Sequence, residues 1–158
     1  MTTSRARVPR ADEVRQAIGF VPLVEAYFRR AYGDMPEELV AIFRPHRLTA
    51  RHGAVLPQLV AETAISVTDL AGRMGLSLST TSELVGELSR AGLVDRREDP
   101  DNRRRTLVSL AERHRDAVER FVAARAAPLL RVLESLSPAD RAGFVAGLSA
   151  WAREVQRE

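Results

Sequence analysis

The stretch RREDPDNRRRTL, residues 96–107, places a charged turn between two runs of strand-forming residues. The runs at residues 93–97 and 104–110 predict two strands, and Thr106, Val108 and Leu110 alternate toward a core. The turn at residues 98–103 contains Asp-Pro-Asp-Asn, in which proline presets φ and the Asx side chains bond to the nearby backbone. These residues therefore predict a basic β-hairpin.

A helix-turn-helix pattern lies directly before this hairpin. Ser66 as N-cap, with Asp69 in the capping-box position, begins a short helix, and Gly75 ends it because glycine enters the left-handed region without a Cβ penalty. A second helix starts at once with Ser77 or Ser79 as N-cap, and Gly92 closes it. Its buried face is predicted to consist of Thr81, Leu84, Val85 and Leu88, and its outer face of Ser79, Ser82, Glu83, Gly86 and Arg90. This second helix has the position of a recognition helix.

A basic hairpin that follows a helix-turn-helix is a wing, and its position favours contact with double-stranded DNA. An arginine at the end of such a loop suits a narrow minor groove, whose negative potential attracts guanidinium groups, and Arg103 is the first candidate. The N-terminal residues of a recognition helix lie nearest the base edges of the major groove. The contacts predicted for phosphates and base edges are Ser77, Ser79, Thr80 and Ser82, with Arg96, Arg104 and Arg105 on the DNA backbone.

The order of these parts resembles the multiple antibiotic resistance regulator (MarR) family over residues 48–115. The motifs that carry the resemblance are Leu70-Ala71 through Gly75-Leu76-Ser77, Leu84-Val85 to Gly92-Leu93-Val94, and Asp99-Pro100-Asp101-Asn102-Arg103-Arg104 followed by Val108-x-Leu110. The resemblance implies a mainly α (α+β) winged helix-turn-helix fold and a homodimeric repressor whose DNA affinity a small ligand lowers. It also implies that Asp101 orients Arg103 by an ion pair in the wing.

Three positions depart from the pattern of that family. Glu83 stands where relatives commonly carry a basic or amide residue, so it either accepts from a cytosine amino group or faces away from the bases. Ala111 replaces the usual threonine N-cap, which weakens the start of the next helix by about 1 kcal/mol unless Ser109 takes over. Pro57 lies inside the helix expected before Ser66 and predicts a kink or a break there, because it lacks a backbone donor.

Both ends of the chain are expected to form helices with wide apolar faces. The N-terminal face continues to residues 33–34 and consists of Val14, Ile18, Val21, Val24 and Phe28. After the wing, a long helical segment bent at Pro128 carries Val118, Phe121, Val122, Leu129, Val132, Leu133 and Leu136. A last helix, with Ser137 as N-cap and Pro138 at its first position, is predicted to bury a stripe of Phe144, Leu148, Trp151 and Val155. These faces predict two intertwined subunits, with packing inside one chain as the alternative.

The predicted organisation is a single domain over residues 1–158. Residues 9–63 and 112–158 are expected to form a helical dimerisation region, and residues 64–111 the winged helix-turn-helix lobe that binds DNA. A two-fold dimer would place its two recognition helices about 34–36 Å apart, one turn of DNA, and therefore predicts a pseudo-palindromic operator.

A pocket for a small aromatic or phenolic effector is expected between the helical ends and the winged helix. The candidates combine apolar walls with a few polar groups, the usual form of a small-molecule site, although each also suits the core or the surface. They are Tyr27, Phe28, Phe43, His46, Arg47, His52 and Leu56. No metal or cofactor is predicted, because the two histidines of this set do not have the spacing of a helical ligand pair and the chain contains no cysteine.

Composition limits the class of protein. A chain of 158 residues with 45% hydrophobic content is long enough for one compact core. All 24 basic residues are arginine, so the basic character reflects genomic base composition in part, and the arginines clustered at residues 96–105 carry more weight than the formal charge of +3. The absence of cysteine excludes disulfides, thiolate zinc sites and cysteine redox switches.

The remaining function classes are narrowed by what the sequence lacks. No apolar run approaches the about 20 residues that span a bilayer, and no signal peptide is recognised, so a cytoplasmic protein without membrane contact is predicted. An enzyme is not predicted, because no nucleophile with a base, paired carboxylates or phosphate-binding loop occurs at a useful spacing. The alternative to a regulator is a winged-helix protein-interaction module that has lost specific DNA binding, which Glu83 favours.

Overall fold

The computed structural model describes residues 8–157, apart from the side chains at positions 31 and 32. The described chain divides after Met35 into two compact units. The first is built on one helix, α1 (Ala11–Gly33), with Asp12 and Glu13 in its first turn and Arg30 in its last, as the helix dipole favours. This helix confirms the N-terminal prediction. Its apolar side chains are 41–65% exposed at Val14, Ile18, Val24 and Phe28.

The second unit begins with three short helices, α2 (Glu37–Phe43), α3 (Ala50–Gly53) and α4 (Leu56–Val60). Pro57 lies in the first turn of α4, where a missing backbone N–H interrupts no helical hydrogen bond. The helix expected before Ser66 is therefore broken near Pro57, as predicted. Phe43, Leu56 and Leu59 are buried, so these short helices contribute to the core of the unit.

The winged helix occupies residues 65–110. Strand β1 (Ile65–Ser66) leads into α5 (Val67–Met74) and α6 (Leu78–Arg90), and β2 (Val94–Asp99) and β3 (Asn102–Leu110) form the wing. The strands make an antiparallel sheet in the order β1-β3-β2. Ile65 lies opposite Val108, and Val94 lies opposite Leu110. The predicted fold class, a mainly helical winged helix-turn-helix, is confirmed.

Hydroxyl caps explain where both helices of the helix-turn-helix begin. The Ser66 hydroxyl accepts a hydrogen bond from the Asp69 backbone N–H at 3.0 Å, and the Ser77 hydroxyl accepts one from the Thr80 N–H at 3.1 Å. Each bond satisfies an amide that has no partner inside its helix. Of the two candidate caps for α6, Ser77 is the N-cap and Ser79 lies within the helix.

Two glycines end these helices in the left-handed region. Gly75 has φ +67° and Gly92 has φ +76°, values that cost glycine little because it has no Cβ. Gly86, by contrast, was expected on the outer face of α6 and is buried. Gly86 is buried because it immediately follows the core residues Leu84 and Val85 and lies at the edge of the buried face.

The core of the second unit lies between the sheet, α4, α5, α6 and the first half of the helix that follows the wing. Helix α5 packs on α6 and on β3, α6 packs on β2, and α4 packs on β3. The predicted core face of α6 is confirmed, since Thr81, Leu84, Val85 and Leu88 are all buried. Other buried side chains include Leu70, Leu93, Val94, Val108, Leu110, Val118 and Phe121.

The chain after the wing forms a 3-10 turn (Glu112–His114), then α7 (Arg115–Ser135), which contains Pro128, and α8 (Pro138–Glu154). Ala111 supplies no capping side chain. Hydrogen bonds from Arg115 to the carboxylates of Glu112 and Glu119 stabilise the first turn of α7 instead, and they raise the pKa of Arg115. No helix among residues 8–157 combines the length and the apolar character that crossing a membrane requires.

The last helix has the predicted start but not the predicted burial. The Ser137 hydroxyl accepts from the Asp140 N–H at 3.2 Å, with proline at the first helical position. The stripe expected to be buried is 37–56% exposed at Phe144, Leu148, Trp151 and Val155. The expectation is wrong for a single chain because no described surface of the chain covers this stripe.

The wing differs from its prediction in two ways. Its strands are longer, so only Pro100 and Asp101 remain between them, and Arg103 lies inside β3 and not in the turn. Glu98 is paired with Thr106 while the next residue of β2 is paired with Asn102, so residues 103–105 form a bulge in β3. Strand β1, which was not predicted, completes the sheet on the other side of β3.

Candidate nucleic-acid interface

The first turn of α6 is organised by hydroxyl groups. The Ser77 hydroxyl donates to the Thr80 hydroxyl at 2.8 Å and lies 3.0 Å from the Ser79 hydroxyl. The buried Thr81 hydroxyl donates to the Ser77 carbonyl at 2.9 Å. Ser77, Ser79 and Thr80, all predicted to contact DNA, are thus joined in one network at the start of the helix. Ser82 forms no hydrogen bond through its side chain among residues 8–157.

The outward face of α6 is exposed over its first turns and carries no positive charge there. Leu78, Ser79, Ser82 and Glu83 are exposed, and Arg90 in the last turn is the first basic residue of the helix. Positive charge for phosphates therefore has to come from other elements.

The turn of the wing is held by side chains that bond to the backbone two residues further on. The buried Asp99 carboxylate accepts from the Asp101 N–H at 3.0 Å, and the Asn102 side chain accepts from the Arg104 N–H at 3.1 Å. These are the local Asx bonds expected for such residues. The ion pair between Asp101 and Arg103 that the family resemblance implies is not formed within the described chain. Asp99 is the acid that shapes the wing.

Arg105 ties the wing to the first helix of the helix-turn-helix. Its guanidinium donates to the Asp69 carboxylate at 2.9 Å and lies 3.8 Å from the Asp99 carboxylate. Asp69 in turn accepts from the Ser66 hydroxyl at 2.6 Å, so the N-cap of α5 belongs to the same network. Arg105 was predicted to contact the DNA backbone, and its link to Asp69 was not predicted because the two partners lie 36 residues apart in the sequence.

The other predicted arginines of the wing remain available to a ligand. Arg96, Arg103 and Arg104 are exposed, and none of them forms an ion pair with another part of the chain that the structure describes. Arginine in this condition keeps its full set of donors for phosphate oxygens or for a groove of high negative potential. The wing thus presents three exposed cations that have no ion-pair partner among the described residues.

A second group of arginines lies beside the same helix start and was not found from the sequence. Arg51, Arg153 and Arg157 line a cavity of about 260 Å³ together with Ser77 and Thr80. The three arginines come from α3 and from the C-terminal end of the second unit, so only the folded chain brings them together. They place positive charge beside the first turn of α6, which has none of its own.

A buried histidine fastens α3 to the recognition helix. His52 is 6% exposed, and its Nδ1 accepts from the Thr49 backbone N–H at 2.9 Å. Because Nδ1 acts as an acceptor, Nε2 carries the proton and donates to the Glu87 carboxylate on α6. The predicted effector residue His52 therefore has a structural partner in this structure.

The other predicted effector residues do not gather in one cavity of the second unit. Phe43 and Leu56 are buried in the core, whereas His46 and Arg47 line an open cavity of about 440 Å³ with Glu87 and Arg90. Tyr27 and Phe28 belong to the first unit, where their rings meet edge to face with centroids 5.3 Å apart. Within the described residues, no three His, Asp or Glu side chains gather in a way that could hold a metal ion.

Known proteins share this arrangement. Residues 48–106 match the sequence model of the MarR family. The uncharacterized HTH-type transcriptional regulator YfiV of Bacillus subtilis (strain 168) is 32% identical over 102 residues, which are 65% of this chain. The match spans 64% of the length of that relative.

Solved structures agree with the fold over nearly the whole chain. RV1404 from Mycobacterium tuberculosis is 26% identical with a TM-score of 0.58, and the match covers 93% of this chain and 95% of that one. The PcaV transcriptional regulator from Streptomyces coelicolor, solved in complex with its natural ligand, is 27% identical with a TM-score of 0.53, and the match covers 94% and 97% of the two chains. The helix-turn-helix and the wing of this chain thus resemble those of the MarR family of winged-helix transcriptional regulators, whose sequence model matches residues 48–106.

Proposed function

We propose that this regulator binds a pseudo-palindromic operator in double-stranded DNA as a homodimer and represses transcription until a small ligand releases it. The observation that carries the proposal is the combination of an exposed recognition helix with a wing whose Arg96, Arg103 and Arg104 are exposed and form no ion pair among residues 8–157. Residues 64–111 would form the DNA-binding lobe. Residues 9–63 and 112–158 would form the dimerisation region.

The proposed contacts divide between the two grooves. Ser77, Ser79, Thr80 and Ser82 at the start of α6 would meet phosphates and base edges in the major groove, where hydroxyls both donate and accept. Arg103 would enter the minor groove, and Arg96 and Arg104 would neutralise phosphates. Asp101 remains a candidate for orienting Arg103 in the DNA complex. Arg105, whose guanidinium already donates to Asp69, would keep the wing in place and would contact the DNA backbone only at the edge of the interface.

Exposed apolar surface supports the homodimer. In α8, Leu148 is 42% exposed and Trp151 52% exposed, and in α1, Ile18 is 65% exposed and Leu23 67% exposed. Apolar faces of this width on terminal helices are typical of surfaces that another subunit covers. A two-fold dimer would present two recognition helices to successive turns of the major groove, which is why the operator is proposed to be pseudo-palindromic.

An effector is proposed on two grounds. The related regulator PcaV is described in complex with its natural ligand. In this chain, the open cavity lined by His46 and Arg47 contacts α6 through Glu87 and Arg90, so an occupant there would touch the recognition helix directly. An aromatic or phenolic compound with an acidic group would suit this cavity, because Arg47 and Arg90 can bind the acidic group.

The test is titration of the purified full chain into a fluorescently labelled fragment of its own upstream region, at two salt concentrations. An unrelated fragment of equal length is the control. Selective binding that weakens log-linearly as salt rises is the expected result, because each phosphate contact releases counterions. Equal or absent binding to both fragments would contradict an operator in the upstream region. Binding to a protein partner that does not weaken as salt rises would favour the alternative, a winged-helix protein-interaction module.

A further inference from the structure

The first two turns of the exposed face of α6 contain one side chain with a fixed hydrogen-bond character. Ser79 and Ser82 carry hydroxyls, which donate and accept, and Leu78 carries no polar group. Glu83 is exposed on the same face, one turn beyond Ser79, and an ionised carboxylate only accepts. A side chain that only accepts discriminates between bases, whereas a hydroxyl adapts to either kind of base edge.

No described residue of the chain engages this carboxylate. Glu83 forms no hydrogen bond or ion pair among residues 8–157. Its neighbours one turn away along the helix are Ser79, Thr80, Gly86 and Glu87, none of which is basic. Glu87, the other acid on α6, is instead bound to a buried histidine. Among the described residues, Glu83 is thus the one acid of the recognition helix whose acceptor atoms have no partner.

We infer that Glu83 determines operator sequence by accepting a hydrogen bond from the exocyclic amino group of cytosine in the major groove. Among major-groove edges, only cytosine and adenine offer a donor. Adenine places its N7 acceptor beside the N6 amino group, which repels a carboxylate, whereas guanine and thymine present acceptors alone. The chemistry therefore selects cytosine. The inference rests on the operator binding proposed above and adds the base that one residue reads.

A Glu83 that reads cytosine and a Glu83 that contacts no base would affect DNA affinity differently. Near DNA, a carboxylate that meets no donor is repelled by phosphates on every sequence, so removing its charge would strengthen binding to all sequences alike. A carboxylate that reads cytosine instead changes affinity at one position of each half-site and at no other. The two roles therefore predict that removing the charge of Glu83 changes DNA affinity at one base position or on all sequences equally.

The experiment is selection of binding sites from a randomised duplex library by the full-length protein, by Glu83→Gln and by Glu98→Gln. Both variants remove one exposed acid without changing its size, and Glu98 lies on β2 of the wing and not on the recognition helix. Circular dichroism checks that each variant keeps the parental helix content. Affinities for single-base variants of the selected site are then measured by fluorescence titration.

The parent and Glu98→Gln are expected to require cytosine at one position of each half-site, with about a fivefold or greater loss of affinity for any other base there. Glu83→Gln is expected to prefer adenine at that position, because a glutamine amide matches N6 and N7 of adenine. Identical sites for the parent and Glu83→Gln, with a uniform gain in affinity, would overturn the inference and leave the proposed function intact. Failure of all three proteins to select any site would overturn both.

Discussion

At the scale of single residues, Arg103 tests the minor-groove contact. Its side chain is exposed in the bulge of β3 and has no ion-pair partner among residues 8–157, so its removal leaves the packing of the wing unchanged. We expect Arg103→Ala to lower operator affinity about tenfold and to reduce the slope of log affinity against log salt concentration by about 1. The melting temperature should not change. Fluorescence titration over a salt series measures both effects.

The matched control for Arg103 is Arg131→Ala, which removes the same charge from an exposed site on α7. Its effect on operator affinity is expected to be within about twofold, since an exposed charge remote from DNA is largely screened at physiological salt. Equal losses in the two variants would mean that overall charge, and not the position of Arg103, governs binding. An unchanged affinity in Arg103→Ala would remove this residue from the interface.

Leu84 tests the helical phase of α6. Its side chain is 7% exposed in the core, so Leu84→Ala is expected to lower the free energy of unfolding by about 2–5 kcal/mol. Ser82→Ala, on the exposed face of the same helix, should change it by less than about 0.5 kcal/mol. Urea denaturation at one fixed protein concentration compares the two, because dimerisation adds to apparent stability. A small effect at Leu84 would contradict the orientation of α6.

At the scale of elements, the parts with local signals were predicted best. Ser66 and Gly75 mark the limits of α5 within one residue, because a cap and a left-handed glycine are encoded by neighbouring residues. Strand β1 is two residues long and exists only by pairing with β3, so no period in the sequence reveals it. The length of the wing strands also depends on cross-strand pairing, which extended β3 back to Asn102.

In the candidate site, too, the features encoded by neighbouring residues were predicted best. The hydroxyls at the start of α6 and the arginines of the wing were predicted from the sequence, since each group lies in a continuous motif. The sequence did not show that Arg105 pairs with Asp69, or that Arg51 lies beside Ser77, because these contacts join distant segments. It also assigned His52 to an effector pocket, since nothing nearby in the sequence identifies Glu87 as its partner.

The link between α5 and the wing gives a prediction whose sign is informative. Asp69→Asn removes a negative charge, which by itself would strengthen DNA binding. We expect it to weaken binding about two- to fivefold, as does Arg105→Gln, because the wing loses its tie to α5. Hydrogen exchange of the backbone amides at residues 98–106 should be faster in both variants.

Glu62→Gln is the control for that pair of variants. Glu62 accepts from Arg73 of α5 at 2.8 Å, so this variant breaks a partly exposed ion pair of the same helix that does not involve the wing. Wing exchange should stay at the parental rate. Tighter DNA binding by Asp69→Asn, with unchanged exchange in the wing, would show that Arg105 does not position the wing.

At the scale of the whole molecule, the sequence predicted the class of protein. The match of residues 48–106 to the MarR family model and the likeness to an HTH-type transcriptional regulator of Bacillus subtilis support the class that the helix-turn-helix and wing predicted. The terminal helices were recognised as apolar, but the stripe of α8 was assigned to a buried position, which the described residues of one chain do not provide. Apolar residues at helical spacing indicate that one face of the helix is covered, but they do not indicate which chain covers it.

The proposed dimer can be tested through that exposed stripe. Leu148 is 42% exposed in α8, so an aspartate there costs the isolated subunit little, whereas it would place a charge in a subunit interface. We expect Leu148→Asp to shift the sedimentation mass from twice the chain mass of 17.5 kDa toward a single chain. Operator affinity should fall in parallel, because a monomer reaches one half-site. Ala146→Asp, on the opposite side of α8, should leave both properties unchanged. A parent protein that sediments as a monomer would contradict the proposal, and so would a Leu148→Asp variant that stays dimeric.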